Sequence, residues 1–343
     1  MQNDKKLAKV TIFDVAREAQ VSKSTVSLVL THSDKVSDKS KDKVLKAIEK
    51  LGYVYNRDAA ALRSKKSNLV ALVINDLTNP FSAQLAVGLE QHIYALGMVP
   101  MLVNTGEDFE RQRQVVNTLK EYNVAAFIMI PAPNTPREWL DQLSDSGFPV
   151  ITMMREVAFA KAPCILPDNK TGTHLATTHL IEQGIKDIAF LGGTPEISDY
   201  HERLSGFQSA LSMHGIHCEQ PRVTAPTNRQ GGQTAFNQLI KKHKNIKAVV
   251  CFNDVIAYGV IEAMREHELV PGKDIKVVGF DDLQDSQLMK PALSSVRIDA
   301  DDIGKRTCQT LAEVLSQSQP PVRTLVNVSL KVRESSSPSL QSQ

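Results

Sequence analysis

From Leu69 onward, short apolar runs alternate with helix-patterned stretches, and no other feature limits the possible folds so tightly. Leu69–Ile74, Val99–Val103, Ala125–Ile130 and Val150–Met154 read as strands buried on both faces, with helices expected near 82–95, 110–122 and 136–146. A second run follows, with strands expected at Ile188–Leu191, Ala248–Phe252 and Lys276–Phe280 and helices near 170–183, 201–214, 231–242 and 254–266. Such alternation predicts parallel sheets covered on both faces, because a parallel crossover needs about a helix's length of chain. A stretch of about 275 residues exceeds one compact sheet domain of ordinary size, so two α/β lobes are expected, each a doubly wound parallel sheet.

The first part of the chain follows a different period. Ile12, Val15, Ala16 and Ala19 fall on one face of a helix capped by Thr11. Ala19-Gln20-Val21 interrupts that pattern, and Ser22 can cap a second helix whose inner face is Val26, Val29 and Leu30. Lys23, Ser24, Ser27 and Leu28 are left on or near its outer face. Ser37 starts a third helix with Val44, Ile48 and Leu51 inward, and Gly52 suits a left-handed end. Two helices joined by so short a turn make a helix-turn-helix, whose second helix enters the DNA major groove by its N-terminal residues. Lys23 and Ser24 are placed to reach base edges, and Leu28, one turn on, suits a thymine methyl. A generic three-helix bundle with a solvated polar surface carries the same pattern.

Charge separates the two parts. Residues 1–66 hold 15 Lys/Arg against 8 Asp/Glu, a net of +7, whereas the remainder holds 25 against 30, a net of −5. A basic head on an acidic body is the asymmetry expected of a DNA-binding protein. Between them lies NRDAAALRSKK, residues 56–66, with Asn56 as a cap and a helix-favouring Ala59-Ala60-Ala61-Leu62. It is shorter than the roughly 12–15 residues an isolated helix needs in water, so it folds only when docked, or serves as a basic linker.

The stretches VTIFDVAREAQVSKSTVSLVL, LGYVYNRDAAALR, DLTNPFSAQL, VCFNDVIAYGV, VVGFDDLQDS and PALSSVRID resemble the LacI/GalR family of bacterial transcriptional repressors. The resemblance runs from Val10 to about Ser335. Within the family, PVITMMREV, PDNKTGTHLATTHLIEQG and IAFLGG are most similar to a repressor of the maltose regulon. The resemblance implies that Lys23 and Ser24 read bases with Leu28 beside them, and that Ser22, Thr25 and Ser27 touch phosphates. It implies a hinge helix beginning at Asn56, with Leu62 wedged into the minor groove at the operator centre. Thr11 and Ala59 belong to the same implied DNA-contact set. Two positions depart from the family pattern: Gln20 stands where glycine is usual, and Tyr55 where proline is usual.

Open α/β sheets bind ligands beyond the carboxyl ends of their strands. Those loops hold Asn79-Pro80-Phe81 and Met154-Arg155 in the first run, and Asp199 to Arg203, Asn253-Asp254 and Asp281-Asp282 in the second. The resemblance places Arg203 as a ligand clamp, and Asn253 and Asp281 as further polar contacts. The candidate effector site is therefore Asn79, Phe81, Arg155, Arg203, Asn253 and Asp281, a mixed wall that suits a polyol such as a sugar or sugar phosphate. In the plainer reading, Asn253-Asp254 caps a helix and Asp281-Asp282 forms a turn. Met154-Arg155 replaces an acidic residue found in many relatives, and no aromatic residue stands near Thr227.

Other chemistry is sparse. Cys164, Cys218, Cys251 and Cys308 are scattered without a C-x-x-C, so neither a zinc site nor a disulfide framework is expected. His174 and His179 are five residues apart and off a common helical face. Gly192-Gly193 lacks the dinucleotide fingerprint. No enzymatic activity, cofactor or metal is expected, and no export signal or membrane span is seen, which predicts a cytoplasmic protein. The expected organisation is a helix-turn-helix domain at 1–55, a hinge at 56–67, and an effector-binding and dimerisation domain at 68–335. Its lobes are expected at about 68–166 with 299–327, and 167–297 with 328–335, like a periplasmic sugar-binding protein. A disordered tail is expected at 336–343, without leucine heptads, so a homodimer is expected. The function expected is a sequence-specific regulator, a repressor on a palindromic double-stranded operator, controlled by a sugar-like small molecule. The alternative, a sugar-binding receptor with no DNA role, predicts an export signal and no basic head.

Overall fold

The computed structural model describes residues 10–30, 34–54, 67–217 and 220–337. The chain divides into two compact units, Met1–Ser67 and Asn68–Gln343.

In the first unit, α1 (Ile12–Ala19), α2 (Lys23–Leu30) and α3 (Asp38–Leu51) close around Val15, Ala16, Ala19, Val26, Val29, Val44 and Ala47. The inner face of α3 differs slightly from the sequence pattern: Ala47 is buried, while Ile48 and Leu51 pack at the rim. Asp14 fixes the start of α1 by accepting from the Thr11 backbone N–H at 3.0 Å and the Thr11 hydroxyl at 2.6 Å. That helix ends on Gln20, held at φ 54°, ψ 44°. A left-handed non-glycine residue costs on the order of 1–2 kcal/mol, so the tight turn is made at some expense. Ser22 then opens α2, its Oγ accepting from the Thr25 N–H at 3.1 Å. Gly52 ends α3 in the left-handed region at φ 62°.

The second unit holds two six-stranded sheets. The first contains β1 (Leu69–Ile74), β2 (Val99–Asn104), β3 (Ala126–Met129), β4 (Val150–Met153), β5 (Cys164–Pro167) and β11 (Arg323–Val326). Their order is β11-β5-β4-β3-β1-β2, and every pairing is parallel. Helices α4 (Pro80–Ala95), α5 (Phe109–Glu121) and α6 (Arg137–Asp145) connect the first four strands. The second sheet contains β6 (Ile188–Leu191), β7 (Arg222–Val223), β8 (Ala248–Cys251), β9 (Lys276–Asp281), β10 (Ser294–Ile298) and β12 (Val328–Lys331). Its order is β12-β10-β9-β8-β6-β7, parallel except for the edge strand β12, which runs antiparallel to β10. Helices α7 (Asn169–Ile181), α8 (Ser198–Met213), α9 (Arg229–Lys242), α10 (Asp254–Glu266) and the short α11 (Gln284–Leu288) belong with it, while α12 (Ala300–Leu315) packs on α4.

The chain passes between the sheets after β5, after β10, and again between β11 and β12. Two cleft walls therefore depend on each other's chain segments. The floor of the second wall is close-packed: a Cβ on Gly206 of α8 would lie 2.2 Å from the Lys170 carbonyl oxygen of α7, so only glycine lets these helices approach so far. The expected disordered tail needs correction at its start. Ser336 is fully buried, donating to Ser294 Oγ at 2.7 Å and lying 2.8 Å from His179 Nε2, because the chain there still covers the second sheet. Among the described residues, no helix is long and apolar enough to cross a membrane.

Candidate functional site

In the first unit, α2 presents a polar N-terminus to solvent. Val26 and Val29 are buried, which turns Ser22, Lys23 and Ser24 outward and leaves Leu28 36% exposed. Ser22 Oγ also lies 2.7 Å from Ser24 Oγ and 2.9 Å from Thr25 Oγ1, a hydroxyl cluster at the positive end of the helix. Thr25 and Ser27 are half-buried beside it, and Thr11 is exposed at the start of α1. Lys23 Nζ stands 4.6 Å from the ring centroid of Phe13, which is 59% exposed. Sequence reasoning missed Phe13; an apolar residue outside the i, i+3, i+4 set of α1 was the available signal. Asn56, Ala59 and Leu62 lie outside the described residues.

In the second unit, Asn79, Phe81, Arg155, Arg203, Asn253 and Asp281 all line one cavity between the two sheets. The loop after β1 brings Asn79, the first turn of α4 brings Phe81 and the loop after β4 brings Arg155, while Arg203 comes from α8, Asn253 from the loop after β8 and Asp281 from the end of β9. Asn79 accepts from the Phe81 N–H at 3.1 Å, which caps α4 and fixes both residues. The cavity is about 50 Å³, whereas ligand pockets run to roughly 300–1,000 Å³. Beside it lies an outer chamber of about 360 Å³, and Asp76, Glu107, Arg155 and Thr227 line both spaces.

Arg155 is buried between carboxylates. Its guanidinium donates to both Glu107 oxygens at 2.5 and 2.8 Å, and its Nε lies 3.4 Å from Asp199 Oδ1 at the start of α8. Burial works against the Arg155 charge, but Asp199 and Glu107 together outweigh it and raise its proton affinity. Glu107 is itself oriented by Asn75, which donates to it at 2.7 Å. Asp199 Oδ1 is buried, with Arg155 as its counter-charge and no well-aligned hydrogen bond among the described residues. Glu107 thus places an acidic group beside Arg155. The loop after β2 could have disclosed it, since it too follows a strand's carboxyl end.

Arg203 is held by other means. It donates to Asn169 Oδ1 at 2.9 Å and to the Phe252 carbonyl at 2.5 Å. Its guanidinium carbon lies 4.6 Å from the Phe252 ring centroid and 3.8 Å from that of Phe280. Asp281 stands 3.8 Å away, at φ 109°. Burial pushes the Asp281 carboxyl well above the usual carboxylate range, against the pull of Arg203. Burial likewise lowers the proton affinity of Arg203, though a guanidinium stays charged at any pH the fold survives.

Asn253 does cap α10, accepting from the Ile256 N–H at 3.0 Å, and it lines the cavity as well. Asp254 points away, into a buried network with Ser286 Oγ (2.6 Å), Ser295 Oγ (2.6 Å) and the Leu283 N–H (2.9 Å). Burial pushes its carboxyl up to about 7. Phe252, like Phe81, lines the cavity with an aromatic side chain. Among the described residues, no group of His, Cys, Asp and Glu could hold a metal ion.

A helix-turn-helix with an exposed second helix, together with a two-lobed α/β domain enclosing a polar cleft, defines a DNA-binding transcriptional regulator with an effector-binding domain. The family described as bacterial regulatory proteins, lacI family, matches residues 11–56, and the periplasmic binding protein-like domain matches residues 177–336. GalR of Escherichia coli (strain K12) is 32% identical over 335 residues, spanning 96% of this chain and 97% of the relative. The chain belongs to the LacI/GalR family of transcriptional regulators, which are not enzymes. MalI, the maltose regulon regulatory protein of Escherichia coli (strain K12), is 34% identical over 263 residues, 75% of this chain and 77% of MalI. Among solved structures, the lac repressor dimer bound to operator and the anti-inducer ONPF superposes with a TM-score of 0.85 at 26% identity, covering 95% of this chain and 98% of that one. The CelR–cellobiose complex does so with a TM-score of 0.73 at 25% identity, covering 95% and 99%.

Proposed function

We propose that this protein acts in the cytoplasm as a repressor that binds a palindromic operator as a homodimer. The observation that carries this reading is α2, whose buried Val26 and Val29 turn Ser22, Lys23, Ser24 and Leu28 outward together. Lys23 and Ser24 read base edges, Leu28 meets a thymine methyl, and Ser22, Thr25 and Ser27 contact phosphate, with Thr11 at the edge of the footprint. Asn56, Ala59 and Leu62 form the hinge that folds in the minor groove between the half-sites. The lac repressor structure, a dimer on its operator, supports the same assembly here.

A small, sugar-like effector occupies the cleft, with Asn79, Phe81, Arg155, Arg203, Asn253 and Asp281 among its contacts. It shifts operator affinity by the difference between its affinities for two lobe arrangements, and by no more. Cellobiose in CelR supports a carbohydrate of some kind. PVITMMREV, PDNKTGTHLATTHLIEQG and IAFLGG resemble MalI, which makes genes for maltose-type sugars the first place to seek an operator.

Selection from a random duplex library with the full chain tests the DNA reading. A palindrome should be enriched, and log affinity should fall linearly with log salt. Lys23→Ala should lose about tenfold on that palindrome and relax its base choice. No sequence preference at any salt concentration, with or without sugars, would remove the repressor reading.

A further inference from the structure

Both cationic side chains that line the cleft are already engaged. Arg155 has its guanidinium against Glu107 on one side and Asp199 on the other, and also reaches the Pro131 carbonyl at 3.4 Å. Arg203 is taken up by Asn169, the Phe252 carbonyl and two aromatic faces. Four acidic side chains, Asp76, Glu107, Asp199 and Asp281, line the cavity with these two arginines, and the last three lie against a guanidinium. The outer chamber adds no further Lys or Arg. Asp199 Oδ1, buried in the cavity wall, has the long 3.4 Å contact to Arg155 Nε and no well-aligned hydrogen bond among the described residues.

This balance discriminates between ligands. A phosphate or carboxylate would have to take Arg155 from Glu107, then lie against the displaced carboxylates in a poorly hydrated space where like charges repel strongly. A hydroxyl brings no charge for these carboxylates to repel and can donate to one of them without taking Arg155 from Glu107, and neutral amides such as Asn253 can serve its acceptor side. We propose that the cleft takes an uncharged polyhydroxyl ligand and excludes its phosphate ester or acid, with Glu107 as the residue that sets the choice. The proposal rests on the cleft being the effector site and narrows the sugar or sugar phosphate expected there to the former.

The test uses the full chain at constant ionic strength, with inorganic phosphate and glucose 6-phosphate as probes and calorimetry or thermal unfolding as readouts. The wild type should show no saturable response to either probe. Glu107→Gln, which keeps the shape but removes the competing charge, should bind both with at least a tenfold lower half-saturating concentration. Adding Arg155→Met to that variant should abolish the gain. Saturable anion binding by the wild type that Arg155→Met removes would overturn the proposal, as would a folded Glu107→Gln with no gain. A panel of neutral mono- and disaccharides, each beside its phosphate ester, supplies an arm that needs no variant. A neutral sugar that outbinds its ester supports the proposal, and an ester that outbinds its parent overturns it. Should no sugar bind while Glu107→Gln gains phosphate, exclusion by Glu107 stands, and the effector reading of the cleft is what fails.

Discussion

Each wall of the cleft presents one arginine, and the two are fixed in opposite ways. Arg203, in the second lobe, is 3% exposed and is gripped by Phe252, Phe280, Asn169 and a backbone carbonyl. Arg155, in the first, is gripped by carboxylates, and one of them, Asp199, belongs to α8 of the opposite lobe. Ring faces and neutral acceptors act at short range and ignore salt, whereas ion pairs weaken with salt and with separation. The second wall is therefore pre-organised, and the first is set by a charge balance that depends on how the lobes meet. Two further contacts share that dependence: the Glu156 N–H donates to Ser198 Oγ at 2.8 Å, and Arg323 of β11 pairs with Glu202 of α8.

The pre-organised wall carries one of its buried acids, Asp254, without a cation, and this should give the largest effect. Asp254 is held by two serines and a backbone N–H, and burial pushes it up to about 7. Unfolded, it would titrate near 3.9, so between about pH 4 and 7 the folded state keeps a proton that the unfolded state releases. Its contribution is most favourable below about pH 4 and declines by up to about 4 kcal/mol as pH rises to about 7. Urea denaturation across that range should show the decline in the wild type relative to Asp254→Asn. A constant difference between the two would mean that the second wall does not hold a desolvated acid.

Arg203→Met comes next. It leaves Asn169 and the Phe252 carbonyl without their donor and Asp281 without its counter-charge, at a cost of about 3 kcal/mol that should hardly change between low and high salt. Arg155→Met should cost less, about 2 kcal/mol, because Glu107 is half-buried and can regain water although Asp199 cannot. The part of that loss carried by Glu107 should shrink as salt is added. Equal salt dependence in the two variants would erase the distinction between the walls.

The same division governs what the sequence disclosed. Strands such as Leu69–Ile74 and Ala248–Cys251 are legible because burial on both faces makes them continuous apolar runs. β7, β11 and β12 are not, since they are short edge strands with partly exposed residues and no run to detect. The antiparallel course of β12 follows from a chain that enters the second sheet straight from β11, with no helix between. All six expected effector residues line the cavity because strand ends are legible and ligands gather there. Glu107 escaped because its meaning lies in Arg155, 48 residues away, and only the tertiary fold brings a bidentate pair together. The exposed face of α2 was legible from period alone, while Phe13 beneath Lys23 was not.

The inner cavity of about 50 Å³ also has a meaning in time. No sugar enters a space of that size, so a ligand arriving at this form must wait for the lobes to part across the Arg155–Asp199 pair. The encounter then has two clocks, one for collision and one for the break in the ion pair. As ligand concentration rises the first quickens without limit, and the second does not. The pace at which such a regulator answers its signal is then set by the protein's own opening.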